Sequence, residues 1–350
     1  MNLIKGVWKV YEKLLMKNAR RSKYSQSLGM GPNLVFAITS RCNFSCKHCM
    51  RNPKNPKDLP LEIAEKALKG IKKYNGKIVT LTGGEPFAYP KIKELIKMIV
   101  DNKLSFSIVT NGWLFKEYID FLKQYKRNIA FIAFSLESTE KNFHDSLRKP
   151  GSFDRLMEDF QLCRQYKIPF RTITALTTAN YDKILELGIF LKRQKPSHVV
   201  FTTMIPCPRT EQNKLVLDAE KRQEIFLTLQ GLANVLKLPV VIAADIRAES
   251  NLHLCRFMKL MDISIDAESN IVHCCELAGY DFDSVAAKSK VTSLKDKSFE
   301  QGLATLSEHI HKSICARIKD YENCSDTDHI DFNSCFYCVN KFLKPIEKKI

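Results

Sequence analysis

Leu34-Val35-Phe36-Ala37-Ile38 runs through Thr39-Ser40-Arg41 into Cys42-Asn43-Phe44-Ser45-Cys46-Lys47-His48-Cys49. Five unbroken apolar residues describe a strand covered on both faces, because a strand with one wet face alternates apolar with polar side chains. The eight residues that follow put three thiols on one loop. Thiolates are soft ligands that suit iron–sulfur clusters or zinc. A structural zinc site closes with four ligands, and His48, next to Cys49, is poorly placed to reach the same ion. An iron–sulfur cluster tolerates three cysteines when an exogenous ligand fills the open iron.

The same kind of apolar run recurs at 78–81, 106–109, 129–136, 170–176 and 199–203, with helical spacing at 61–74, 92–102, 115–125, 153–166 and 182–193 between them. Six strand-then-helix units in succession imply a parallel sheet, either open and doubly wound or barrel-like. Sites in both gather at the C-terminal ends of the strands. The residues to inspect are therefore those just after each run, such as Thr82-Gly83-Gly84-Glu85-Pro86 after the second. Thr177, Asn180, Met204 and Cys207 follow the fifth and sixth runs and are expected to shape a pocket without naming its occupant. After a helix at 219–236 and a run at 240–243 the chain turns polar, cysteine-bearing and irregular. A hairpin of 262–266 and 271–274 is expected around Ala267-Glu268-Ser269-Asn270. The expected organisation is a basic amphipathic helix in 1–32, a core in 33–238 and a smaller irregular unit in 239–350.

With 350 residues, 45% of them hydrophobic, and no apolar run near the ~18 that a bilayer requires, the chain reads as soluble and globular. Disorder, collagen and a transmembrane bundle are excluded. The 55 basic against 38 acidic residues, a net +17, suit an anionic partner. Twelve cysteines without a secretory signal point to a cytoplasmic metal protein, not a disulfide scaffold. They cluster at 42, 46 and 49 and again at 255, 274, 275, 315, 324, 335 and 338, while Cys163 sits in a helical pattern as core. Residues 3–17 align Ile4, Val7, Trp8, Tyr11, Leu14 and Leu15 on one helical face. Seven basic residues up to Lys23 face the single acid Glu12. This segment either packs on the core or meets an anionic membrane or substrate.

Taken in order, Cys42-x3-Cys46-x2-Cys49 after strand one and Thr82-Gly83-Gly84-Glu85-Pro86 after strand two resemble the radical S-adenosylmethionine (radical SAM) superfamily. The likeness extends to Thr110-Asn111-Gly112, Ser135-Leu136-Glu137 and His144-Asp145-Ser146-Leu147-Arg148, over about 33–238. It implies a partial (β/α)6 TIM-like barrel. Cys42, Cys46 and Cys49 would hold a [4Fe–4S] cluster whose fourth iron takes S-adenosylmethionine. Reductive cleavage would then yield a 5′-deoxyadenosyl radical that abstracts a substrate hydrogen. By the same resemblance Gly83, Gly84 and Glu85 lie against the cofactor's methionine part, and Ser135 contacts its ribose or carboxylate. Arg148 suits the carboxylate and His48 the adenine. Glu137 stands where many relatives have Asp, which leaves its role open as cofactor contact or ion-pair partner. A reducing partner such as flavodoxin or ferredoxin is implied.

Cys255, thirteen residues, Ser269, four residues and Cys274 resemble the opening of SPASM and twitch domains, with Ser in place of Gly. Cys335-x2-Cys338 would complete an auxiliary iron–sulfur cluster, Cys275 being the alternative to Cys274. The full SPASM spacing is not met, so one auxiliary cluster is preferred. A second, using Cys275, Cys315 and Cys324, stays open, as does a zinc knuckle. The expected function is oxidation or modification of a small molecule, sugar, lipid or peptide. With about 32 residues ahead of the first strand there is no room for a leader-binding domain, which weakens a peptide. The alternatives are RNA modification and a nonenzymatic iron–sulfur or zinc protein binding nucleic acid. Nucleic acid is disfavoured because no RNA-binding motif is present.

Overall fold

The computed structural model describes residues 31–51, 56–246, 253–278, 289–324 and 333–343. The six expected strands are β1 (Asn33–Thr39), β2 (Ile78–Gly83), β3 (Ser105–Thr110), β4 (Ile129–Ser135), β5 (Phe170–Leu176) and β6 (His198–Thr203). The helices along this stretch are α1 (Leu61–Lys72), α2 (Ile92–Asp101), α3 (Phe115–Gln124), α4 (Lys141–Leu147), α5 (Ser152–Tyr166), α6 (Ile184–Gln194), α7 (Pro208–Gln212) and α8 (Ala219–Leu236). Neighbouring strands pair in parallel from β1 through β6, and β7 (Val240–Ile242) adds on beyond β6. Parallel strands need covered faces. Six of the seven β1 residues are buried, and α1 lays Ile63, Ala64, Ala67, Leu68 and Ile71 against the sheet. One contiguous apolar core runs from Leu34 to Cys338.

The region past residue 240 is more regular than its sequence suggests. β8 (Asp262–Ile265) pairs in parallel with β1 on the side opposite β2, Leu34 facing Ile263 and Phe36 facing Ile265. The expected hairpin forms as β8 and β9 (Asn270–Val272), and β10 (Lys290–Ser293) joins β9 antiparallel. All ten strands make one sheet in the order β10-β9-β8-β1-β2-β3-β4-β5-β6-β7. In the hairpin turn Ser269 itself takes the left-handed conformation, with φ of 77°. The Asp266 carboxylate compensates by accepting from the Glu268 and Asn270 amides at 2.9 and 2.8 Å.

In place of irregular chain there are two helices, α9 (Phe299–Glu322) and α10 (Ser334–Leu343). A capping box starts α9: the Gln301 amide donates to Ser298 Oγ, and the Ser298 amide donates back to the Gln301 side chain. Its buried stripe holds Leu303, Leu306, Ile310 and Arg317. The helix seats where glycines make room: a Cβ on Gly70 of α1 would stand 2.3 Å from the Phe299 ring, and one on Gly302 2.7 Å from Ile271. Residues 3–17, expected as a basic helix, lie outside the described residues. Among the described residues no helix is long and apolar enough to cross a membrane.

Candidate active site

The loop after β1 carries its thiols at the C-terminal mouth of the sheet. Cys42 is exposed, Cys46 buried and Cys49 half-buried. Backbone amides already point at two of the sulfurs: Phe44 N–H donates to Cys42 Sγ and Arg51 N–H to Cys49 Sγ, both at 3.4 Å. Burial pushes Cys46 up to about 11, against the pull of the nearby Arg148 guanidinium. The end of β2 crosses directly over this loop. Gly84 N–H donates to Thr39 O at 2.8 Å and Glu85 N–H to Arg41 O at 2.7 Å. A Cβ on Gly84 would lie 2.0 Å from Arg41 O, and Gly83, at φ of 130°, would put one 2.3 Å from Thr39 O. The close approach that the glycines permit is thus to the cysteine loop's own backbone.

Glu85 is fully buried and accepts from Phe87 N–H at 3.1 Å, Thr110 Oγ1 at 2.7 Å and Asn111 N–H at 2.8 Å. Its carboxyl welds the ends of β2 and β3. Burial raises it to about 7, opposed by those three donors. Across the mouth, Arg148 Nε and Nη2 both donate to Glu137 Oε1, at 2.9 and 2.5 Å, while Ala175 N–H donates to Oε2 at 2.8 Å. Glu137 therefore takes the ion-pair role. Although burial alone would raise its carboxyl, Arg148 and then His48 outweigh that and hold it below the usual range. His48 Nε2 stands 3.7 Å from Glu137 Oε1, and His144 Nδ1 accepts from Glu137 N–H at 3.1 Å. Burial lowers both imidazoles to about 4, so both rings are neutral at pH 7. Ser135, half-buried at the end of β4, lies two residues before Glu137.

Three buried polar atoms here lack a hydrogen-bond partner: His48 Nδ1, Asn43 Nδ2 and His144 Nε2. Buried polar groups are nearly always paired. Orphans gathered beside three thiols fit a polar ligand that supplies the missing partners, as S-adenosylmethionine on an iron–sulfur cluster would. Among the described residues no three His, Cys, Asp or Glu side chains converge as a single ion requires. A cluster takes each thiolate on a different iron and does not need that convergence.

The C-terminal cysteines assemble from three separate segments. Burial raises Cys335 well above its usual range, with Cys255, Cys274 and Cys338 close enough to add to the rise. Cys338, up to about 12 by burial, feels Cys255 in the same way. Cys255, Cys274, Cys335 and Cys338 thus lie within electrostatic reach of one another. The Arg317 guanidinium, 1% exposed, lies within electrostatic reach of Cys338, Cys255 and Cys335, and its Nη1 donates to His253 O at 2.9 Å. Cys275 abuts Cys274, while Cys315 faces His311 at 3.8 Å on α9. Cys163 is core, and Cys207 caps α7 by accepting from Thr210 N–H at 3.4 Å.

One residue outside the expected set joins the two cysteine regions. Arg51, two positions past Cys49, donates to Gly83 O at 3.0 Å, Cys275 O at 2.9 Å and Ala278 O at 3.0 Å. Asn43, Arg51, Asp245 and Arg317 were not singled out by their sequence context. For Arg317 the signal was a cation at an apolar-stripe position of a helix. For Arg51 it was a cation directly after the thiol loop.

A parallel sheet that carries a three-thiol loop at its C-terminal mouth places the chain among α/β proteins with a cysteine-lined site. The family model described as the Radical SAM superfamily matches residues 36–191. The S-adenosylmethionine-dependent nucleotide dehydratase RSAD2 of Siniperca chuatsi is 30% identical over 164 residues, 44% of this chain and 46% of that protein. The antilisterial bacteriocin subtilosin biosynthesis protein AlbA of Bacillus subtilis is 28% identical over 170 residues, covering 47% and 37%. The chain spans about half the length of the curated relatives it matches. In fold it is similar to anSMEcpe with bound AdoMet, with a TM-score of 0.64 at 16% identity over 89% of this chain and 94% of that one. Streptococcus suis SuiB bound to precursor peptide SuiA gives 0.63 at 18% identity over 79% and 66%.

Proposed function

We propose that this protein is a radical SAM enzyme that reductively cleaves S-adenosylmethionine and removes a hydrogen atom from its substrate. The observation that carries the reading is the three-thiol loop crossed by Gly83-Gly84 and faced by unpartnered His48 Nδ1 and Asn43 Nδ2. When bound, the cluster and S-adenosylmethionine supply the one-electron cleavage and the 5′-deoxyadenosyl radical. Cys42, Cys46 and Cys49 hold the cluster. Arg148, set by Glu137, offers its remaining N–H groups to the methionine carboxylate, and Ser135 its hydroxyl to the cofactor. The neutral ring of His48 lies against the adenine. Residues 33–238 form the core and 239–350 carry an auxiliary cluster on Cys255, Cys274, Cys335 and Cys338, fed by a reducing protein in the cytoplasm.

A peptide is the substrate class favoured first. AlbA is named for bacteriocin biosynthesis, and SuiB is seen with a precursor peptide. A nucleotide is second, because RSAD2 is named a nucleotide dehydratase and GTP 3',8-cyclase of Campylobacter jejuni is 30% identical over 178 residues. The test is anaerobic reconstitution and reduction with dithionite. Formation of 5′-deoxyadenosine above a Cys42→Ala control is expected, with about 8 iron per chain for two clusters. No product above that control overturns the reading. Stimulation by peptide against nucleoside triphosphate ranks the two substrate classes.

A further inference from the structure

Each sulfur of the C-terminal set sits in a different hydrogen-bonding environment. Cys255 is approached by the Met258 and Phe257 amides and Cys274 by the Leu277 amide. Cys338 faces a side chain instead. His273, 3% exposed and immediately after β9, stands with Nε2 3.5 Å from Cys338 Sγ on α10. Its other nitrogen, Nδ1, is 3.0 Å from His309 Nε2 on α9, the two rings meeting edge to face at 5.2 Å. Three elements that are remote in sequence thus converge on one imidazole. A metal-bound thiolate accepts and cannot donate, so the single proton of a neutral His273 belongs on Nε2. Nδ1 then accepts, and His309 must present Nε2–H. With Cys338 as a cluster ligand, the row runs with His309 donating to His273 and His273 donating to Cys338.

We propose that His273 is the hydrogen-bond donor that raises the reduction potential of the auxiliary cluster, and that His309 is the positioning residue fixing its tautomer. This rests on the auxiliary-cluster reading above. An N–H directed at a ligating sulfur draws charge from it and stabilises the reduced cluster, a lever proteins use alongside burial and net charge. The guanidinium of Arg317, within electrostatic reach of Cys338, Cys255 and Cys335, acts in the same direction. A side-chain donor differs from the amides in that substitution can remove it without touching the backbone.

The test uses the full chain with Cys42, Cys46 and Cys49 all replaced by Ala, so that only the C-terminal cluster remains, followed by potentiometric titration read by electron paramagnetic resonance. His273→Leu is expected to move the midpoint to more negative potential at unchanged iron content. His273→Gln, which keeps an N–H, recovers most of the shift. His309→Ala, which leaves the His273 ring in place, moves it the same way by less and carries the test if His273→Leu loses iron. A midpoint that stays put in His273→Leu or, failing that, in His309→Ala, with about 4 iron per chain, overturns the donor assignment alone. A chain without iron in the triple-alanine background overturns the auxiliary cluster and this proposal with it.

Discussion

The two cysteine regions solve opposite problems. In the N-terminal one, three thiols arrive within eight residues of a single loop and leave buried polar atoms without partners around them. In the C-terminal one, four thiols come from three segments separated by up to sixty residues, and a buried guanidinium lies within electrostatic reach of three of them. The first is built to admit a ligand. The second places a buried cation within electrostatic reach of three of its thiols. The first set is held by short local chain and crossed by glycine backbone, whereas the second is knitted from segments distant in sequence.

The comparison breaks most visibly if both cysteine sets prove equally necessary for cofactor cleavage. Cys42→Ala is expected to take 5′-deoxyadenosine formation to background, while Cys335→Ala loses about 4 iron per chain and keeps it; chromatography of the products and iron analysis decide. Arg148→Met leaves the buried Glu137 carboxylate without its cation, with an expected loss of about 3–5 kcal/mol in anaerobic urea unfolding. Gly84→Ala drives a methyl into the Arg41 carbonyl for about 2–3 kcal/mol, whereas Gly231→Ala, facing open space on α8, gains up to about 1 kcal/mol. Equal effects of the two alanines would refute the crossing described at the loop. Arg51→Met removes three hydrogen bonds that couple the regions and is expected to cost about 1–3 kcal/mol while leaving iron content intact.

The smallest effect compares the carboxylates that weld strand ends beside each region. Glu85 joins β2 to β3, and Asp245 accepts from Thr202 Oγ1, the Thr203 amide and Thr203 Oγ1 at the end of β6. Burial raises Glu85 to about 7 and Asp245 to about 6, above their values in the unfolded chain. The folded state therefore holds more protons between those values, and stability falls as pH climbs through them. Unfolding followed across pH 4 to 8 should show that fall flattened below about 7 in Glu85→Gln and below about 6 in Asp245→Asn. An unaltered profile in either variant contradicts the corresponding shift.

The parallel strands and the first site were legible because their information is local. Leu34 to Ile38 is an unbroken run, and Cys42, Cys46 and Cys49 follow it at once. The pairing of Cys255, Cys274, Cys335 and Cys338 was legible as a count and a resemblance, but their gathering depends on α9 and α10. α9 escaped notice because Gly302, Ser307 and Arg317 interrupt its apolar stripe, although Ser298 and Gln301 advertise its start. The place of β8 beside β1 is a tertiary fact: the hairpin could be read from its turn residues, its docking strand could not. Arg51, His273 and His309 matter through partners more than thirty residues away, which no spacing rule reaches.

The pairing of β8 with β1 sets a timetable for the ribosome. β1 is made long before its second partner, so one of its two edges waits until residues 262–265 have emerged. For more than two hundred residues of synthesis the nascent chain carries an apolar strand with unpaired backbone groups, the feature that invites edge-to-edge association. A message that stops after β7 would deliver every thiol of the first site together with a permanently open seam.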